Sequence, residues 1–376
     1  MDLPQEIIYS VIFHLRHDPS TLLVLCLVCR AFLPESRRYL YQKIAHGQQA
    51  YVPYGCLMLN PNKNTQLFIS LSRGHSSLAK YIHTFAYIFS PGSGGNERIC
   101  GSLNASLQLM TNLKDLSLFS LGIPLSRLIQ GCTFELEVFS YTPLVSEWDS
   151  GSIDLHEFVT HQRALRRLMF IEINPLDDDL KSMWPATTSL PRLQHLTGDA
   201  LAIKHLLPTC SPTSLSWAMV LGGDFYNVPN LTQKLENLRS LCLHCIGPPR
   251  ASQITPLINH CRNLQILHIS GTPNRDFFIA GLPVVLHFPN LRIFIQSFPT
   301  EILQQIWNTA QGDLSAYLEL RRTEARTWFQ LLHHFQVAYF QHLSIREDKC
   351  FVAYERGAPD LIKVEAREVW GISPWI

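Results

Sequence analysis

Long apolar runs are missing from this chain. The stretch from Leu22 to Cys29 falls far short of the roughly 20 residues that a membrane span needs, and Arg16, Asp18 and Arg30 flank it. It fits a signal segment poorly too, because Asp2 and Glu6 stand where a basic region belongs and Pro19-Ser20 reads as a helix start. No membrane association is expected. An excess of charge of either sign is also missing. With 31 basic against 30 acidic residues, a broad attraction to nucleic acid or anionic lipid has no electrostatic footing. Cysteines are ten in 376 residues, without the dense spacing of secreted disulfide scaffolds. That favours reduced thiols and a cytoplasmic or nuclear location.

Signatures of catalysis and metal binding are absent as well. Pro91-Gly92-Ser93-Gly94-Gly95 is glycine-rich, but no Gly-Lys-Ser/Thr follows it, so it reads as an exposed loop. Asp177-Asp178-Asp179 lacks the glycine and distant Glu of a calcium loop and reads as a solvated turn. His333 and His334 are neighbours that point apart on a helix, and neither H-E-x-x-H nor G-x-S-x-G occurs. The expectation is a non-enzyme with no catalytic residue, cofactor or metal.

What is present is apolar material, 46% of the chain, ample for a core. At the amino end Pro4 opens a stretch with Ile7, Ile8, Val11, Ile12 and Leu15 at helical spacing. His17 to Thr21 breaks and recaps the chain, and Leu22, Leu23, Leu25, Cys26, Val28 and Cys29 form a second helix that is apolar nearly all round. A third follows Pro34 with Leu33, Arg37, Leu40, Tyr41 and Ile44. A unit of about 45 residues is near the lower limit for independent stability, so some of this surface is expected to meet a partner. Cys26 and Cys29 lie inside an apolar helix with no Cys/His pair nearby in sequence, so they read as packing residues.

The patterns LPQEIIYSVIFHL, DPSTLLVLCLVCRAF and RRYLY in residues 3 to about 44 resemble the F-box, although Tyr41 stands where the family commonly has Trp. The resemblance implies a trihelical module that docks on a Skp-family adaptor, which joins it to cullin and RING subunits of an SCF-type ubiquitin ligase. Carried over residue by residue, the adaptor-binding set is Leu3, Pro4, Ile8, Ile12, Leu23, Val28, Cys29, Arg30 and Phe32.

From residue 80 onward one phrase returns: NLKDLSLFS, ELEVFSYTP, ALRRLMFIE, RLQHLTGDA, SLSWAMVLG, NLRSLCLHC, NLQILHISG and NLRIFIQSF. The leading residues Leu113, Leu136, Leu165, Leu193, Leu215, Leu238, Leu264 and Leu291 are 22 to 29 residues apart, a period typical of leucine-rich repeats. Each L-x-x-L-x-L predicts a short strand with alternate side chains in the core. Tyr81 to Ile88 reads as a degenerate first copy and Phe340 to Ile345 as a late one. Helices are expected between strands at Pro124 to Gly131, Ile153 to His161, Leu201 to Leu207 and Ile254 to His260, with Cys132, Cys210 and Cys261 as small buried residues just before their strands. Cys242 and Cys245 straddle a strand whose pleat sends them to opposite faces, which disfavours a shared metal.

The whole is similar to F-box proteins with leucine-rich repeats. The expected fold class is α/β: an F-box at 1–44, a linker with a short helix at 45–79, and an irregular repeat solenoid at 80–345 whose curved parallel sheet carries helices on its convex side. A helical insertion near 301–340, with helices at Glu301–Trp307 and Ala325–Phe340, and a C-terminal cap or tail at 346–376 complete it. The implied function is substrate recognition for ubiquitin-dependent degradation, with a target protein on the concave face near Lys114, Asp115, Ser117, Arg166, Arg167, Arg239, Ser240, Gln265 and Arg292. A non-ligase scaffold of the same fold is the alternative.

Overall fold

The computed structural model describes residues 4–46, 57–59, 66–71, 76–88, 96–121, 125–143, 157–171, 190–219, 231–245, 260–271, 285–297, 314–343, 349–358, 362–365 and 368–369. Leu3, the Pro91–Gly95 and Asp177–Asp179 segments, the helix expected at Glu301–Trp307, most of that at Ile254–His260, and Trp370 and Trp375 lie outside them. The fold is mixed α/β, in two compact units, Met1–Arg192 and Leu193–Ile376. Among the described residues no helix is long and apolar enough to cross a membrane.

The first unit opens with α1 (Gln5–His14), α2 (Pro19–Val28) and α3 (Leu33–Leu40). Pro4 caps α1, and Asp18 caps α2 by accepting hydrogen bonds from Thr21 N and Thr21 Oγ1 at 3.1 and 2.6 Å, satisfying donors that a helix start leaves without partners. Ile8, Ile12, Leu22 and Leu40 form the buried centre of the bundle, with Leu15, Leu25, Cys26 and Phe32 packed around it.

The third helix ends at Leu40, sooner than its apolar spacing predicts. Ile44 instead belongs to β1 (Lys43–His46). This strand pairs in parallel with β2 (Leu57–Leu59) on one side and β3 (Thr84–Ile88) on the other. Part of the segment expected to be linker therefore supplies two strands. The sheet of this unit runs β2-β1-β3-β4-β5-β6, with β4 at Asp115–Leu121, β5 at Val138–Pro143 and β6 at Arg167–Phe170, all parallel. Between strands lie the helices Leu125–Ile129 and 157–161, where the periodicity predicts them. Gly131 closes the turn after the first at φ 73°, a backbone conformation that glycine adopts without penalty.

In the second unit, β7 (His195–Asp199), β8 (Ser214–Met219), β9 (Ser240–Cys245), β10 (Ile266–Gly271), β11 (Ile293–Ser297) and β12 (Val337–Leu343) are parallel. The helix Ala200–Leu206 and a single 3-10 turn at Leu207–Thr209 follow β7. One contact recurs between copies. A carbonyl just ahead of each strand accepts two N–H groups from the next copy: Arg239 O from Gln265 N and Ile266 N, Gln265 O from Arg292 N and Ile293 N, Arg292 O from Gln336 N and Val337 N, all at 2.8 to 3.1 Å. The same pattern in the first unit begins at Gln42 O, which accepts from His83 N and Thr84 N. Asparagine side chains add a second stitch, with Asn112 Nδ2 donating to Lys80 O, Asn263 Nδ2 to Glu236 O and Asn290 Nδ2 to Arg262 O at 2.8 to 2.9 Å.

The leading leucines 113, 136, 165, 193, 238, 264 and 291 are all buried, each worth about 1.5 to 3 kcal/mol of burial. Leu215 is the exception in register. It pairs with Leu196 and Leu241, the second leucines of their copies, so the buried Pro212 takes the leading place. Cys210 and Cys261 are buried and Cys132 half-buried before their strands. Burial pushes all three thiols up to about 12, which makes them packing residues and poor nucleophiles.

The last third departs most from expectation. The helix runs Leu314–Leu331, not Ala325–Phe340. Trp328, Leu332 and Phe335 are buried, whereas Leu331 is 56% exposed. The late copy leads with Phe335 and pairs through Val337 to Phe340 with β11, five residues ahead of the expected Phe340. After it the array reverses direction: β13 (Lys349–Glu355) and β14 (Ile362–Glu365) add antiparallel strands. Val369 then packs, fully buried, on Ile295, Val337, Tyr339, Phe351 and Ala353. Val369 thus covers this end of the face opposite the leucines.

Candidate functional site

On the amino-terminal helices the question is which apolar residues the bundle leaves uncovered. In α2, Leu22 points inward while Leu23, Val24, Leu27 and Val28 are 52, 57, 81 and 63% exposed. Spacings of three and four residues place these four on one side of the helix. In α1, Ile7 and Val11 form a second exposed pair one turn apart, as do Tyr9 and Phe13. Arg16 lies over the Phe13 ring at 3.8 Å.

The expected adaptor-binding set is divided by this geometry. Leu23, Val28, Cys29, Arg30 and Pro4 are exposed and Phe32 is half-buried. Ile8 and Ile12, at 7 and 0% exposure, lie in the buried centre of the bundle. Leu27, the most exposed large apolar side chain among the described residues, is missing from the set. Its sign in the sequence was the unbroken apolar character of LLVLCLVC, which no three-helix bundle of this size can cover on all sides.

The expected target-binding residues also separate. Arg239, Gln265 and Arg292 occupy equivalent places just before β9, β10 and β11, and together line a cleft of about 470 Å³ in the second unit. Asn237, Asn263 and Asn290, at the start of the same copies, and His334 complete the lining. Periodic asparagines opening NLRSL, NLQIL and NLRIF were the sequence signal for them. Lys114 and Arg166 hold the equivalent places in the first unit, where Lys114 Nζ donates to Glu135 O at 3.3 Å.

Asp115 is not the free surface carboxylate that its place predicts. It starts β4 in register with Thr84 and Val138, one strand beyond which stand Lys43 and Arg167. Burial pushes its carboxyl up to about 6 against the opposing pull of Arg167 and Lys43. A carboxyl raised in the folded state adds stability below its ordinary value and loses it as pH rises through 6. Asp115→Asn is therefore expected to stabilise the first unit by about 1 to 2 kcal/mol at pH 7.5 and to change nothing favourably at pH 4. Urea unfolding at the two pH values checks this; a variant less stable at pH 7.5 refutes it.

Among the described residues a thiol meets two imidazoles. On the face of β8 to β11 opposite the leucines, Cys242 Sγ lies 3.0 Å from His268 Nδ1 and 3.4 Å from His244 Nε2. His244 Nε2 also meets Ser216 Oγ at 3.1 Å and His268 Nε2 meets Ser297 Oγ at 2.8 Å. Such a pair is the beginning of nucleophilic chemistry only if substrate reaches it and the imidazole accepts the proton. Cys242 and His268 are 0 and 1% exposed. Burial holds His268 well below its usual value, helped by His244 beside it, and His244 falls to about 4 for the same reason. The neutral forms are favoured, which makes this a hydrogen-bonded core network. Among the described residues no group of three His, Cys, Asp or Glu could hold a metal ion.

Compared with known proteins, the chain matches no family model, and no curated protein matches it.

Proposed function

We propose that the chain is a substrate-recognition subunit of an SCF-type ubiquitin ligase, in which α1 to α3 act as an F-box that docks on a Skp-family adaptor and the leucine-rich array holds a target protein. The observation that carries the reading is the outward face of α2. Four large aliphatic side chains on one side of a ten-residue helix form a contiguous apolar surface of the kind that marks protein interaction sites. The parallel, one-strand-per-copy sheet supports the second half, since stacked repeats present extended surfaces suited to proteins. The chain would contribute position alone, raising the effective concentration of target lysines beside the charged ubiquitin carrier.

Leu23→Asp with Leu27→Asp is expected to weaken recovery of the Skp-family adaptor at least tenfold while leaving thermal unfolding unchanged, because both side chains already face solvent. Undiminished recovery would place the adaptor elsewhere. Adaptor recovered together with cullin identifies a ligase subunit; adaptor without cullin identifies the scaffold alternative.

A further inference from the structure

The cleft before β9, β10 and β11 brings two guanidinium groups to one edge of the sheet, Arg239 and Arg292, on either side of Gln265. Both arginines are exposed, and neither is in an ion pair among the described residues. No carboxylate is among the described residues that line the cleft. Two strand spacings, about 10 Å, separate the two arginines along the edge. A charge pair of one sign left without counter-charge is a binding feature looking for an anion, and the planar fork of arginine favours carboxylates and phosphates held by two hydrogen bonds.

The remaining lining decides between anions. Asn263 and Asn290 each spend one Nδ2 donor on a backbone carbonyl, which leaves one N–H and the Oδ1 acceptor of each amide for a ligand. An acceptor repels a bare polyanion, but it satisfies a peptide N–H. Gln265 between them offers one donor group and one acceptor, which matches the two halves of a peptide bond. Nucleic acid fits poorly, because its charges are closely spaced and two arginines are the cations among the described lining residues. Two forks, separated and interleaved with amide groups, suit two carboxylates carried on an extended backbone.

We propose that this cleft binds an acidic peptide segment, with Arg239 and Arg292 each taking a carboxylate and the Asn and Gln side chains holding the peptide backbone between them. As the place where a target is held, this rests on the receptor reading above; as a peptide site it is measured on the chain alone.

The test is fluorescence anisotropy with the full chain and a fluorescein-labelled ten-residue peptide of alternating Glu and Gly. Saturable binding is expected that weakens with salt. Arg239→Gln with Arg292→Gln is expected to weaken it at least tenfold at an unchanged melting temperature. Should that variant unfold, Gln265→Glu, which adds a negative charge between the forks, is expected to give a similar loss. Equal binding by the variants, no binding by the parent chain, or equal affinity for a Lys-Gly peptide or a ten-nucleotide thymidine strand overturns the proposal. Displacement by inorganic phosphate at low millimolar concentration also overturns it, since a simple anion site would suffice. Adaptor recovery by the same variants separates the two readings: loss of peptide with adaptor retained leaves the receptor reading standing, and peptide binding without adaptor recovery leaves only the cleft.

Discussion

Acidification from pH 7 to pH 4.5 is expected to remove about 3 kcal/mol from the stability of the second unit through His244 alone, and more through His268. The cause is the pair His244 and His268, whose imidazoles are held neutral by burial, at about 4 and well below the usual value. The unfolded chain protonates both near 6.5, so below that pH it binds more protons than the folded state. Stability is fully present above 6.5. It then falls by about 1.4 kcal/mol per pH unit for each histidine, down to the folded value of that group. Ser216, Cys242 and Ser297, the groups that meet these rings, offer no carboxylate to stabilise an imidazolium. Chemical unfolding followed across this range gives the slope. In His268→Gln, which removes one titrating group, the slope should fall by about half whatever the variant's absolute stability. An unaltered slope would assign the acid sensitivity to other groups.

Trp328→Ala is expected to cost about 3 to 5 kcal/mol and to lower the melting temperature of the second unit by about 10 °C. Trp328 is 2% exposed in the helix Leu314–Leu331. Its ring meets Phe294 edge-on at 5.1 Å, Phe335 edge-on at 5.8 Å and Phe340 in a stack at 6.0 Å. One indole thus joins the helix to β11, to β12 and to the turn between them. Removing it leaves a cavity that three rigid rings fill poorly. Three residues on, Leu331 is more than half exposed, and Leu331→Ala should cost less than about 1 kcal/mol. Similar losses from the two substitutions would show that the helix is not anchored as described.

These two residues lie three positions apart, yet one is buried and the other exposed. The spacing of Trp328, Leu331, Leu332 and Phe335 is that of one helical face, but the helix stops at Leu331, so Phe335 reaches the core from beyond the turn at His333-His334. Helical periodicity has no means of marking that stop, because no Gly or Pro stands at the break and His333-His334 are compatible with either state. The same limit explains Leu215. The phrase SLSWAM contains a leucine in the right company, yet pairing is set by Thr213 O, which accepts from Arg239 N and Ser240 N and thereby aligns Ser214 with Ser240.

The order of residues alone determined the recurring strand, because L-x-x-L-x-L buries the same side of the chain wherever it occurs, and seven of its eight leading leucines are where the pattern puts them. It determined the placing of Cys132, Cys210 and Cys261, and the short helix starts after Asp18 and at Pro34, since caps and small buried residues act within a few positions. Tertiary structure decided everything that depends on a distant neighbour. It chose which flank of α1 and α2 is covered, sending Ile8 and Ile12 inward and leaving Leu27 out; it turned Lys43–His46 into a strand because β3 offers it a ladder; and it set Val369 on the sheet. Burial is a property of what comes to lie opposite a side chain, and that partner is supplied by the fold.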